Sequence, residues 1–563
     1  MDEQRATGNL EEIGRRDHEI TSEYRLFGPP GTGKTTNITR QIRRAVDKFG
    51  AQNILVTSFS RAAAAELAGR DLPIERNRIG TLHSICWHAL GGPEIAEANV
   101  EDWNKSNPAL AITPVKKQHR LDGEGGEDAD DSDAEKGGDL LLQRAGRFRG
   151  QMIEPQWWPQ NLHAFHKKWT AYKEANGLVD FTDLIETCLR DVFTAPGHPE
   201  VIFADEAQDL NRMQLSLVRK WGERSSYFIV AGDDDQTIYS FAGASPEAFL
   251  DPDIPDDHKI ILKQSFRVPR AVHSFAEKLI HRVGRRQAKD YFPRDAAGAL
   301  DRLSTGGYKS ADYLILKTAL AHVERGQSVM FLAACSYMLR PVIATLRKHG
   351  VPFHNPYRKS NGFWNPLASN GTTTASRITS LLIGHPDYGD AHRAWTHGDL
   401  AAWADVLQVK GVLRRGVKQK LKEYDQRLPV TLERLDDLFE PSALESLMVA
   451  WEAGRGALLD WWRLRLATSV ADRAKFPIEI ATRRGPRALV EPPKVVVGTI
   501  HSVKGGQADV VYLFPDLSQA GDAQYARGGA ARDSVIRLFY VGATRAYEKL
   551  VVCQRESALA ISL

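Results

Sequence analysis

The run Gly28-Pro-Pro-Gly-Thr-Gly-Lys-Thr35 leaves this chain little choice of fold. It follows a short strand signal, Tyr24-Arg-Leu-Phe27, and precedes a helical stretch from Thr36 to Lys48. Strand, glycine loop and helix in that order open a parallel α/β layer. Glycines let successive amides turn inward around phosphate oxygens, and the helix amino terminus adds partial positive charge. Gly28, Pro29, Pro30, Gly31, Thr32, Gly33, Lys34, Thr35 and Thr36 are therefore the candidate phosphate cradle. In such a loop the lysine, Lys34, reaches the outer phosphates and the hydroxyl of Thr35 is a ligand for Mg²⁺.

A second apolar strand, Val201-Ile-Phe-Ala, ends in adjacent acids, Asp205 and Glu206. Asp205 is placed to hold Mg²⁺ and Glu206 to orient and deprotonate an attacking water. The alternative, acids capping the next helix, suits Asp209 but not the pair. Nucleotide hydrolysis follows from the two motifs together, and the lack of an N-K-x-D guanine reader makes ATP the default base.

A third strand, Tyr227-Phe-Ile-Val-Ala231, leads into Gly232-Asp-Asp-Asp-Gln-Thr-Ile-Tyr-Ser-Phe-Ala-Gly-Ala244. Gln236 would emerge at the carboxyl end of a sheet, where open α/β folds bind ligands. On extended backbone, Tyr239 and Phe241 would point to the same side and stack nucleic-acid bases at about 1–3 kcal/mol each. The alternative is a polar loop ahead of a core aromatic pair.

With 563 residues the chain has room for about three or four domains. No run approaches 18 apolar residues, and the charged start MDEQRATGNLEEIGRRDHEI lacks an apolar leader segment, so a cytoplasmic protein with no membrane partner is expected. Four distant cysteines, Cys86, Cys188, Cys335 and Cys553, offer no spacing for a disulfide framework or metal cluster. Residues 121–140 hold nine acids against one base, Lys136, so the net charge of +3 understates how basic the remainder is. That block reads as a disordered loop, either a plain spacer or an acidic flap competing with phosphates.

In sequence order these motifs resemble those of the UvrD, Rep and PcrA group of superfamily 1 helicases. Ile54-Leu-Val-Thr-Ser-Phe-Ser-Arg-Ala-Ala-Ala-Ala-Glu66 and Gly80-Thr-Leu-His-Ser84 are similar to that family's strand-contacting motifs. The resemblance makes Phe59 a base stacker and Thr81 and His83 contacts to the nucleic-acid backbone. Leu262-Lys-Gln-Ser-Phe-Arg-Val-Pro269 resembles motif IV, which implies that Arg267 meets the γ-phosphate and Phe266 packs on adenine. Val495-Val-Val-Gly-Thr-Ile-His-Ser-Val-Lys-Gly-Gly-Gln507 looks like motif V, implying ribose contact by Gln507 and nucleic-acid contact by His501. Arg537-Leu-Phe-Tyr-Val-Gly-Ala-Thr-Arg545 is similar to motif VI, which makes Arg545 the arginine finger.

The chain departs from the family in three places that bear on function. No leucine-x-x-glutamine signature precedes the P-loop, motif V ends in Gln507 rather than glutamate, and Tyr-Ser-Phe-Ala replaces Tyr-Gly-Trp-Arg after Gln236. The stacking platform shrinks to Phe241, and an arginine becomes Ala242.

The expected fold is α/β, with two RecA-like P-loop NTPase domains that each carry a mainly helical insertion. Residues 1–95 and 190–268 would form the first, with 96–189 inserted. Residues 269–370 and 490–563 would form the second, with 371–489 inserted. In that second insert Val409-Lys-Gly-Val-Leu-Arg-Arg-Gly-Val-Lys-Gln-Lys-Leu-Lys422 is basic enough to meet duplex phosphates, or to be a solvated helix face. The implied function is an ATP-dependent helicase moving 3′ to 5′ on single-stranded DNA and unwinding duplex at junctions. The alternative is a DNA-activated ATPase that remodels complexes or senses DNA for a partner protein, in repair, phage replication or defence. RNA stays open as a substrate, since backbone gripping and base stacking serve both polymers.

Overall fold

The computed structural model describes residues 23–70, 72–115, 137–358, 362–368 and 372–563. They gather into two compact units, one formed by the described residues up to Leu300 with Gln519–Glu548 and Leu563, the other by the described residues from Asp301 to Ser518 with Lys549–Ser562.

The first unit is built on a six-stranded sheet of order β3-β2-β4-β5-β1-β6. Its strands are β1 (Glu23–Phe27), β2 (Ile54–Ser58), β3 (Ile79–Thr81), β4 (Val201–Asp205), β5 (Tyr227–Gly232) and β6 (Lys259–Ile261). Every pairing within it is parallel. Parallel strands covered on both faces must be apolar at every position, which is why β2 and β4 are buried throughout. Alternate residues feed opposite layers. Phe27, Leu55, Ile202 and Phe228 pack with Leu184, Leu217 and Trp221, while Leu26, Ile54, Phe203 and Ile229 meet Ile38, Ile42 and Ala45 of the helix Lys34–Phe49.

The register aligns the carboxyl ends that carry the motifs. Phe27 pairs with Gly232, and Ser58 with Asp205. The glycine loop, the Asp205–Glu206 pair and the turn after Gly232 therefore leave one edge of the sheet together. Beyond β6, β7 (Gln264–Pro269) pairs with β8 (Phe292–Arg294) as a separate two-stranded ladder.

The second unit centres on a sheet of order β11-β12-β10-β13-β14-β9. These strands are β9 (Ala299–Arg302), β10 (Val329–Ala333), β11 (Phe353–His354), β12 (Val495–Thr499), β13 (Ala508–Leu513) and β14 (Ala546–Val552). β10 pairs in parallel with β12 and β13, and β11 with β12. The architecture is α/β with two RecA-like parallel sheets. Each has its helical insertion: Gly137–Gly150, Gln160–Asn176 and Phe181–Asp191 in the first, and seven helices from Thr374–Leu382 to Thr468–Arg484 in the second. Trp395, Trp403, Trp461 and Trp462 are core side chains of the latter.

Most of the acidic stretch at 121–140 lies outside the described residues. Its last four, Gly137–Leu140, do not continue a loop but open the helix Gly137–Gly150, where Asp139 accepts hydrogen bonds from the amide and hydroxyl of Thr113 at 2.8 and 2.7 Å. The four cysteines are free thiols. Among the described residues, no helix is long and apolar enough to cross a membrane.

Candidate nucleotide and nucleic-acid site

The glycine loop is held from behind as well as shaped for an anion. Gly31 and Gly33 take φ values of +74° and +78°, which a side chain adopts only with strain. A Cβ on Gly31 would also run into Ser265 Oγ at 2.8 Å and into the stem of Arg267. β7 lies that close because Phe266 N donates to Gly31 O at 2.8 Å and Ser265 Oγ to Pro30 O at 2.9 Å, while the Tyr291 hydroxyl donates to Pro30 O at 2.8 Å. Phe266, on the same strand, stands 67% exposed.

Lys34 reaches across the loop mouth to both acids of β4, donating to Asp205 Oδ1 at 2.5 Å and to Glu206 Oε1. Burial alone would lower its pKa, but Asp205 and Glu206 overrule that and hold the ammonium well above its ordinary value. Asp205 moves up: burial raises it, Lys34 opposes, and Glu206 adds to the rise. A buried carboxylate whose charge is so poorly tolerated favours a cation. Asp205 and the Thr35 hydroxyl both offer oxygen atoms, the donor chemistry that Mg²⁺ takes. Glu206 itself sits at φ +52°, left-handed backbone that costs a non-glycine residue about 1 kcal/mol or more and that clusters at functional sites. Gln208, fully buried, donates to Glu206 Oε2 at 2.6 Å and accepts from Asp233 N at 3.1 Å, tying the acid pair to the next turn.

That turn carries Gln236. Its amide nitrogen donates to Asp233 Oδ2 at 2.8 Å, with Gly28 O at 3.5 Å, and its amide oxygen accepts from Arg545 Nη2 at 3.0 Å. Arg545 is buried, with Nε donating to Val541 O at 2.9 Å, and shares the first compact unit with the P-loop. A few residues on, Tyr239 lies 5.0 Å from the ring of Phe59 and 5.9 Å from Phe241. The three rings form one cluster, but not by strand alternation as expected: Ser240–Ala242 is a 3₁₀ turn, and its tighter winding brings the rings together. Phe241 and Ala242 are exposed.

With this geometry in view, the profile of the UvrD/REP helicase N-terminal domain matches residues 16–254 and that of the UvrD-like helicase C-terminal domain matches residues 494–553. The chain belongs to the UvrD/Rep helicase family. Among its curated relatives, the putative ATP-dependent DNA helicase YjcD of Bacillus subtilis is 24% identical over 284 residues, 46% of this chain and 36% of its own length. The ATP-dependent DNA helicase PcrA of Staphylococcus epidermidis is 25% identical over 362 residues, 58% of this chain and 48% of its own. The chain thus spans about half or less of these relatives. The ATP-dependent DNA helicase Rep of Buchnera aphidicola is 25% identical along 94% of this chain and 89% of its own length.

Other family-motif residues take varied places. Thr81 is buried and caps the helix Leu82–Ala89, accepting from Ser84 N at 3.3 Å. His83 stands edge-on to Phe181 at 6.2 Å, and burial pulls its imidazole down to about 4, so it is neutral at physiological pH. Any phosphate it meets would be met by a hydrogen bond rather than a charge. In the second unit, His501 is half-buried in a 3₁₀ turn directly after β12, and Gln507 is exposed just before β13. Arg267 is half-buried and its carbonyl accepts from Arg294 Nε at 3.2 Å. Thr32 caps the loop inward through Pro29 O at 2.8 Å, whereas Thr36 faces outward to Arg70 at 3.3 Å.

Sequence reasoning missed Lys289 and Arg286. Lys289 Nζ lies 2.6, 2.5 and 2.8 Å from Asp233, Asp234 and Asp235, and Arg286 grips Asp235 with two nitrogens at 2.9 and 2.6 Å. A signal existed: three consecutive acids in a turn between buried motifs need cations from elsewhere, and Gly284-Arg-Arg-Gln-Ala-Lys289 supplies them.

Proposed function

We propose that this chain is an ATP-driven motor on single-stranded DNA that unwinds duplex at junctions, moving 3′ to 5′. The observation carrying the proposal is Gln236, hydrogen-bonded to Arg545 and to Asp233 beside the P-loop carbonyl of Gly28, and three residues from the Phe59–Tyr239–Phe241 cluster. A group that feels the state of the phosphates is thereby linked covalently to rings that stack bases, which is what coupling hydrolysis to movement requires.

In this reading Lys34 swings from its carboxylates to the β and γ phosphates. That frees Glu206 to orient water and take its proton, while Arg267 and Arg545 neutralise charge developing on the transferred group. Thr35 and Asp205 would hold Mg²⁺, which supplies charge neutralisation on the phosphate oxygens. Phe266 stacks on adenine and Gln507 contacts ribose. Thr81, His83 and His501 meet the strand backbone. The division at 268/269, with inserts 96–189 and 371–489, belongs to the same proposal.

Duplex contact falls to the exposed cations of the second insert, Lys410, Arg415, Lys420 and Lys422. Two neighbours are otherwise engaged. Arg414, itself exposed, donates through Nε to Phe439 O at 3.0 Å and Lys418 to Leu407 O at 2.9 Å, so replacing them would also remove hydrogen bonds within the insert.

A second reading, a DNA-activated ATPase that remodels complexes without processive unwinding, is favoured by Ala242, which removes a polar group from the strand-facing turn. Fork unwinding on 3′-tailed, 5′-tailed and blunt DNA, run beside ATP hydrolysis with DNA or RNA, tests both. Unwinding of the 3′-tailed fork supports the motor. Stimulated hydrolysis with no unwinding of any fork selects the remodeller.

A further inference from the structure

We infer that Lys289 is a positioning residue for the coupling turn: by pinning Asp233 it fixes which way round the Gln236 amide stands, and so keeps that amide's oxygen on Arg545. The inference rests on the reading of Gln236 as the phosphate-state sensor.

An amide can present either its oxygen or its NH₂ to a neighbour, and Arg545 tolerates only the oxygen, because a guanidinium has donors and no acceptor. The choice is made at the amide's other end. Gln236 Nε2 donates to Asp233 Oδ2 at 2.8 Å, and an ionised carboxylate only accepts. Asp233 can serve as that acceptor only while its carboxylate is held in place, and it is fully buried beside two more acids. Lys289 makes that arrangement tenable, with its ammonium inside the three carboxylates and 1% exposed. Arg286 secures Asp235 and the Gln287 amide secures Asp234 at 2.9 Å, so the turn is gripped at each acid by one short strap. The strap continues to Tyr291, whose hydroxyl bonds Pro30 O of the P-loop. Sensor turn and phosphate loop are thus aligned by the same seven residues, 285–291.

Charge alone is not the device. A single nitrogen within 2.8 Å of all three carboxylates is a geometry that lysine can provide and the planar fork of arginine cannot. The experiment measures ATP KM, kcat with and without single-stranded DNA, and thermal midpoint for Lys289→Arg, for Lys289→Met with Asp234→Asn, and for Gln236→Ala. The paired variant removes one positive and one negative charge together, so the cluster keeps its balance. Both Lys289 variants should keep ATP KM within about twofold of the parent and lose about tenfold or more of DNA-stimulated kcat. Wild-type stimulation in Lys289→Arg, or in the paired variant, would overturn the inference. If the paired variant does not fold, Lys289→Arg decides alone, with the same outcomes. Gln236→Ala separates the two layers: if it leaves stimulated kcat unchanged, the sensor reading itself has failed, whereas its loss beside intact Lys289 variants refutes only the positioning role.

Discussion

Lys34 and Lys289 each bridge carboxylates in the first unit, and their surroundings could hardly differ more in use. Lys34 bridges Asp205 and Glu206 at the mouth of the P-loop, where its side chain is 10% and that of Glu206 24% exposed. Lys289 is enclosed with Asp233, Asp234 and Asp235, all at 2% or below. Under the proposed function the first lysine leaves its partners when phosphates arrive, and the acids it leaves are those that work next. The second has nowhere to go. One kind of ion pair therefore serves as a latch in one place and a rivet in the other, and solvent access separates the roles, since removing one partner of a sealed pair strands a buried charge.

The largest expected effect lies at the latch. Glu206→Gln and Lys34→Ala should each lower stimulated turnover by at least about 10²- to 10⁴-fold in an ATPase assay; retained hydrolysis in both would break the assignment. Stability should order the other way. Lys289→Met should cost about 3–5 kcal/mol in denaturant unfolding because it leaves three buried carboxylates short of a cation, while Lys34→Met should cost about 1–3 kcal/mol; the reverse order would erase the distinction. A smaller effect is pH-dependent. Burial, opposed by Lys289 and reinforced by Asp235 and Asp233, pushes Asp234 up to about 6 from 3.8. A carboxyl that binds its proton more tightly when folded favours the fold at low pH, and that contribution is lost as pH rises through about 6. Thermal midpoints between pH 4 and 6.5 should carry this slope, and Asp234→Asn should flatten it. The smallest effect is at the strand: Phe241→Trp with Ala242→Arg should tighten single-stranded DNA binding by up to about tenfold, with stacking the main source.

The same contrast explains what could be read from the sequence. Lys34, Asp205, Glu206 and Gln236 were legible because each follows directly from a buried parallel strand, whose apolar run marks the sheet edge where the residue emerges. Arg545 needed the family resemblance, since nothing local shows that it reaches a residue 309 positions away. For Lys289 only the need of three neighbouring acids for a cation was legible, and for Ser265 and Tyr291 nothing was: their partners lie beyond a helix and a separate ladder, and no periodicity encodes such a reach. The aromatic turn failed for a different reason. Alternation was assumed along a segment whose Tyr239 backbone, at φ −92° and ψ 32°, is not extended. Arg414 and Lys418 keep their charge but also donate to backbone carbonyls of their own insert, a use that counting charge does not reveal.

The left-handed backbone of Glu206 has a practical side. Under its proposed role, activity and robustness oppose each other at that position, because a residue chosen for durability alone would not be a glutamate. Asparagine tolerates that conformation better and carries no charge beside Asp205. A Glu206→Asn chain would therefore be inert but sturdy, a form suited to trapping nucleotide and DNA together for structure determination.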